Sequence, residues 1–240
     1  MSNGLYKLGL IRQQLDGRDF QYQFVPVKLP KSIDLRPICP PVFFQKINDC
    51  TANAGCSARQ MLSGITNTLS RHFLYYQERV LLNSTEYDDG ATMRSICDSL
   101  KKFGVCYEEF DPYRNSYSVK PSIEAYQESL RLKINSYQAI HGLKGIQTFL
   151  YLKKQPVLVG IDVFSTFEDC GTNGIVKMPK RSEKSLGGHA ILAVGYKKIG
   201  CKYYMIMRNS WGISYGLKGY CYLPFEYLEK YSYDNWGLVN

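Results

Sequence analysis

Three residues, Cys50, His189 and Asn209, are of the types that together perform nucleophilic chemistry. Cys50 stands at the expected start of a helix made almost wholly of small residues from Ala52 to Ala58, with Asn48 or Asp49 placed to cap it. Unpaired amides and the helix dipole stabilise an anion there, which favours thiolate over thiol. His189 follows Gly187-Gly188 and opens the most apolar run of the chain, so a reacting group has room to approach its ring. A neighbouring imidazole stabilises a thiolate further, as an ion pair. The stretch Arg208-Asn209-Ser210-Trp211-Gly212 supplies a third group. An Asn at that position can orient an imidazole, and the indole two residues on can shield the bond from water. Asn suits this role because a thiolate–imidazolium pair needs no further negative charge. Taken singly, His189 reads equally as a satisfied core histidine and Asn-Ser-Trp-Gly as an ordinary turn. The other histidines read as structural or surface residues: His72 lies in an amphipathic stretch beside Phe73 and Leu74, and His141 begins a polar turn.

The elements that must position these groups divide the chain in two. Prolines at 30, 37, 40 and 41 punctuate a non-helical entry. Helices are expected from Cys50 toward Thr68 and over about 71–82, 91–103 and 143–153. From about residue 133 short runs rich in Val, Ile and Tyr dominate: Pro156 to Val163, His189 to Tyr196, Tyr203 to Arg208 and Gly219 to Leu223. Helices followed by strands imply an α+β fold with two lobes, a cleft between them and a hinge in the polar stretch 112–130.

Composition narrows the class. A chain of 240 residues with 45% hydrophobic and 21% charged residues can bury a core without metal or disulfide staples. Its longest apolar runs are strand-length, too short for a membrane crossing. The net charge of +9 is scattered in pairs and one loose cluster (Lys177, Lys180, Arg181, Lys184), without a basic tail, so no nucleic-acid partner is expected. Eight cysteines without a CxxC pair give little support to a zinc site. No export signal precedes them, so free thiols in an intracellular or virion-associated protein are expected.

These residues resemble the papain-like cysteine protease family, peptidase C1. The matching pieces are Ile33-Asp-Leu-Arg-Pro, Pro40-Pro-Val-Phe-Phe-Gln45, Cys50-Thr-Ala-Asn-Ala, Gln155-Pro-Val, Gly187-Gly-His-Ala-Ile-Leu-Ala-Val-Gly-Tyr196 and Arg208-Asn-Ser-Trp-Gly-Ile-Ser-Tyr-Gly-Leu-Lys-Gly-Tyr220. They run in order over about residues 33–225, and Cys50 and His189 stand 139 residues apart, within the family's usual separation. Thr-Ala-Asn-Ala after the cysteine is most like the branch found in bacteria and large DNA viruses. The resemblance implies a papain-like two-lobe fold: a mainly helical lobe over 33–130 carrying the nucleophile, and a β-barrel-like lobe over 131–240 carrying His189 and Asn209. It further implies that Cys50 is the nucleophile, His189 the acid–base partner, Asn209 its orienter and Trp211 the cover. Gln45 and the Cys50 amide would form the oxyanion hole. Asp89, Gly90 and Gly188 would bind substrate backbone, with no metal or cofactor. The expected activity is that of a monomeric endopeptidase acting on protein or peptide substrates, without a membrane. An inactive peptide-binding or virion structural domain, and a thiol-dependent isopeptidase or acyl transferase, stand as alternatives.

The sequence also departs from that pattern. Gln45 stands five positions before Cys50, where the family has six, and Asn48-Asp49 replaces Gly-Ser. A carboxylate beside the thiol should raise its pKa. Ile47 stands where family members carry a disulfide cysteine. With the nucleophile at position 50, no long inhibitory pro-segment is expected. Residues 1–32 then belong to the folded lobe, the favoured reading, or form a short latch over the cleft.

Overall fold

The computed structural model describes residues 4–14 and 16–240. In chain order the elements are β1 (Ile33–Asp34), α1 (Cys50–Ser63), α2 (Arg71–Leu82), α3 (Met93–Lys102), α4 (Ile123–Ser129), β2 (Ser136–Ala139), α5 (Gly142–Lys153), β3 (Val157–Val163), α6 (Ser165–Glu168), β4 (Gly187–Ile199), β5 (Lys202–Arg208), β6 (Tyr220–Pro224), α7 (Phe225–Tyr231) and β7 (Ser232–Val239).

Local chemistry sets the helix ends. Ser70 accepts a hydrogen bond from Phe73 N–H at the start of α2, and Thr92 and Ser95 cap α3 reciprocally. Gly64 ends α1 in the left-handed conformation, so the helix stops short of Thr68. From Cys50 to Met61 every residue of α1 is buried, which its small side chains allow. A Cβ on Gly55 would stand 2.6 Å from Ile96 and 2.9 Å from Leu74, so α2 and α3 approach α1 as closely as they do only because that residue is glycine.

The strands form one sheet in the order β2-β7-β3-β4-β5-β6, with β1 paired to β4. β3 and the first part of β4 are buried almost throughout, as expected of strands covered on both faces. The main apolar core runs from α1, α2 and α3 into β3, β4 and β5, with a smaller cluster of Phe73, Cys106 and Ala125 in the helical part. The helical part is packed on the sheet through this core, and α4 lies inside the 112–130 stretch. In β1, Ile33 and Asp34 pair with Tyr196 and Gly195 on the strand-rich side.

Among the described residues no helix is long and apolar enough to cross a membrane, and no three His, Cys, Asp or Glu side chains converge to hold a metal ion. All eight cysteines are free.

Candidate active site

α1 and β4 bring the chemistry together. Cys50 is the first residue of α1, and its Sγ accepts a hydrogen bond from Ala190 N–H, the residue after His189, at 3.4 Å. His189 and Asn209 hydrogen-bond through Nε2 and Oδ1 at 2.8 Å. Ser210 N–H donates to the same Oδ1 at 2.8 Å. That second donor identifies the Asn209 atom as oxygen, so His189 carries its proton on Nε2. Nδ1 is left as the basic nitrogen, and it has no hydrogen-bond partner among the described residues. Trp211 stacks on the imidazole with ring centroids 4.7 Å apart, and Phe167 packs edge-on against both rings.

Gln45 faces this site despite the shortened loop. Its backbone N–H donates to Ser210 O at 2.8 Å, its Oε1 accepts from the Ser210 hydroxyl at 2.6 Å, and its Nε2 donates to Ile47 O at 3.2 Å. The loop is pinned from the other lobe. Lys46 N–H donates to the Tyr113 hydroxyl, and Asn48 bonds Asp88 through both its backbone and its side-chain amide. Tyr75 donates to Asp88 and accepts from Gly90 N–H. Tyr75, Asp88, Tyr113 and Ser210 have roles that only their spatial partners disclose. In the sequence, Ser210's place beside Asn209 was the one available hint.

Asp49 occupies the N-cap position but makes no side-chain cap; its carboxyl points inward, fully buried, with neither oxygen hydrogen-bonded among the described residues. The expected cap is therefore absent, and the first amides of α1 are left to other acceptors. Burial raises the Asp49 pKa to about 7, offset in part by Tyr113 and Arg71. Cys50 is also fully buried, and burial pushes its thiol well up, with the charges of Asp49 and Glu78 adding to the effect. Burial lowers His189 to about 4, against the opposing hydrogen bond that its Nε2–H donates to Asn209. In this state the pair is held as neutral thiol and neutral imidazole.

That burial has an evident source. Residues 4–12 run through the cleft. Tyr6 stacks on Trp211 at 4.2 Å, and the Lys7 carbonyl accepts from Gln45 Nε2 at 3.0 Å and from Trp211 Nε1 at 3.3 Å. Leu10 forms an antiparallel bridge with Gly188 and a parallel one with Ala91. Gly9 and Leu10 donate to Gly188 O, Ala91 N–H donates to Gly9 O, and Ile11 N–H donates to Ala91 O. Glu168 accepts from the backbone N–H groups of Leu5 and Tyr6. A Cβ on Gly9 would stand 2.0 Å from Asn48 O, and one on Gly90 would stand 2.0 Å from Gly9 O, so the close pass requires glycine on both sides. Farther along, Tyr22 N–H and Phe20 O bond Ala139. The segment is therefore both a cleft occupant and, beyond it, part of the strand-rich lobe.

On the helical side the extended segment pairs with Ala91, one residue beyond Gly90, whose N–H donates to the Tyr75 hydroxyl. Asp89 lines the cleft beside the segment without a backbone rung, and Gly188 does pair. His72 is fully buried against Asp111 at 2.7 Å, and exposed His141 lies against Gln21. Neither approaches the Cys50 site.

Comparison with known proteins agrees with this geometry. The profile of the papain family cysteine proteases matches residues 29–231. An uncharacterized peptidase C1-like protein of Acanthamoeba polyphaga mimivirus is 36% identical over 210 residues, spanning 79% of this chain and 66% of that protein. Among solved structures, xylellain, a cysteine protease from Xylella fastidiosa, superposes with a TM-score of 0.87 at 30% identity, covering 97% of this chain and 96% of the other. The bromelain protease of Ananas comosus shares the fold with a TM-score of 0.68 at 19% identity, covering 88% and 99% respectively. By its matched profile, its two-lobe α+β fold and the ordered Cys, His and Asn motifs, the chain belongs to the papain family of cysteine proteases.

Proposed function

We propose that the protein is a thiol endopeptidase, kept latent by its own residues 4–12. Cys50 attacks the scissile carbonyl, with His189 Nδ1 as its proton acceptor. The tetrahedral oxyanion accepts hydrogen bonds from Gln45 Nε2 and the Cys50 amide. The imidazolium then protonates the leaving amine, and a water activated by His189 releases the acyl group as acid. Asn209 holds the ring in the Nε2–H tautomer throughout, and Trp211 keeps water from that bond. The Lys7 carbonyl carries this reading most directly: a peptide carbonyl already accepts from the Gln45 amide, where an oxyanion would need a donor.

Latency follows from the same contact. While Lys7 holds Gln45 and the segment buries Cys50, the low local dielectric disfavours thiolate and imidazolium alike. Departure of the segment admits water, restores both pKa values toward the ion pair and clears the Gly188 and Ala91 edges. The substrates are protein or peptide chains, met by a monomer. Eight free thiols fit work in a reducing, intracellular or virion-associated setting.

The test is cleavage of a denatured protein substrate under reducing conditions by wild type and Cys50→Ala. Internal cuts by wild type alone are expected. Peptide binding without cuts by wild type or any latch-weakened variant would favour the inactive binding domain. Preference for lysine side-chain amide linkages over main-chain ones would favour an isopeptidase.

A further inference from the structure

Beyond Leu10 the segment makes one contact that latency does not require. Arg12 pairs with Asp162 at 2.5 Å, and its guanidinium carbon lies 4.0 Å above the centre of the Tyr233 ring. Both partners are fixed by the strand-rich lobe itself. Asp162 sits in β3 opposite Gly188, and its carbonyl accepts from the Tyr227 hydroxyl at 2.7 Å. Tyr233 sits in β7, and its hydroxyl reaches Ile161 O at 3.4 Å. A Cβ on Gly188 would stand 2.6 Å from that hydroxyl and 2.4 Å from Leu10 O. The aromatic wall therefore abuts the rung that holds the extended chain.

The Asp162 side chain is 18% exposed, and Arg12 is its one hydrogen-bonded partner among the described residues. When the segment leaves, an anionic carboxylate beside a π-face is uncovered at the edge of the peptide track. That combination binds a guanidinium or ammonium by charge-assisted hydrogen bonding and by attraction to the ring. The spacing to the neighbouring hole is also set. Leu10 is buried against Gly160, where a Cβ would stand 2.8 Å from the leucine Cδ2. Residues two apart on an extended chain point to the same side.

We propose that Asp162 and Tyr233 form a cation subsite of the cleft, which selects peptides carrying a lysine or arginine two residues outward from the aliphatic side chain in the Leu10 hole. The selection rests on the endopeptidase reading; the binding does not. Arg12 occupies the subsite in the latched protein, so segment and substrate compete for it.

The experiment uses the full chain carrying Gly9→Ala, which unseats the segment from the Leu10 hole, Arg12→Ala, which frees the subsite, and Cys50→Ala, which prevents turnover. Fluorescence anisotropy gives the Kd of labelled hexapeptides with one leucine and an arginine two positions before or after it, against citrulline at the same position. The arginine peptide of one polarity should bind roughly tenfold more tightly than its citrulline twin. Adding Asp162→Asn should bring that ratio close to one, and Tyr233→Leu should reduce it in part. An arginine preference that survives Asp162→Asn overturns the proposal, and so does the absence of peptide binding at millimolar concentration. Turnover is read separately in Arg12→Ala with Cys50 intact. Preference without cleavage there would remove the endopeptidase reading and leave the subsite standing.

Discussion

At the scale of single residues, electrostatics around α1 give the sharpest expectations. Asp49 has a folded pKa of about 7 against an ordinary 3.8, so the native state binds the extra proton between those values. Its contribution is complete below about pH 3.8 and is lost as pH rises through 7. Asp49→Asn should therefore raise Tm more at pH 8 than at pH 5. At about 1.4 kcal/mol per unit over the two units between pH 5 and 7, the difference approaches roughly 3 kcal/mol as an upper bound. His189 works in the opposite sense. Its pKa falls from 6.5 to about 4, so its contribution is complete above 6.5 and lost as pH falls through 4. Asp49→Asn also removes a like charge from beside the thiol, so the acid limb of Cys50 alkylation should move down by about one pH unit. An unmoved limb would mean that Asp49 is neutral whenever Cys50 reacts. Gln45→Ala should lower kcat about 100- to 1,000-fold with little change in KM, the signature of a donor used in the transition state.

At the scale of elements, the segment over the cleft is held by close backbone passes more than by side chains. Gly9→Ala places a methyl group against Asn48 O, and such overpacking costs about 1–3 kcal/mol of seating. Peptidase activity of the full chain should then rise roughly 10- to 100-fold. A variant no more active than wild type would show that the segment does not limit access. The same elements show what sequence reading reaches. Helices α2, α3 and α5 carry a clear period, and the apolar run of β4 with its glycine pair and histidine is unmistakable. The Leu-Ser-Gly at 62–64 that ends α1 is a stop signal in the sequence, with Ile65 beyond it still apolar. β7 reads Ser-Tyr-Asp-Asn-Trp-Gly-Leu-Val, without alternation, and becomes a strand because β3 and β2 pair with it on either side. Ala91 carries no such signal: the glycine at 90 marks where another backbone passes closely, while the hydrogen-bonding rung falls one residue later. Residues 4–12 have no apolar period, and their order comes from Gly188, Ala91 and Trp211, all distant in sequence.

At the scale of the whole molecule, the protein is an assembled active site with its own chain laid through it. Beyond the cleft the chain continues into contacts with the strand-rich lobe, at Ala139, at Tyr196 through Pro30 O, and at β4 through β1. Opening, as proposed, would peel back residues 4–12 while that anchored stretch stays in place. One partly exposed ion pair, Arg12–Asp162, helps to close it. Raising salt from low to moderate ionic strength should accordingly increase wild-type activity by ~2- to 5-fold, measured as initial rates on an uncharged peptide. The measurement that bears most directly on the account is active-site labelling with an irreversible thiol-directed peptidyl epoxide. The adduct is located by mass spectrometry in wild type, Gly9→Ala and Cys50→Ala. The account predicts one adduct, on Cys50, forming slowly in wild type, many-fold faster in Gly9→Ala and not at all in Cys50→Ala. Folded Gly9→Ala protein that stays unlabelled, or labelling spread over other cysteines while Cys50 stays free, would contradict it.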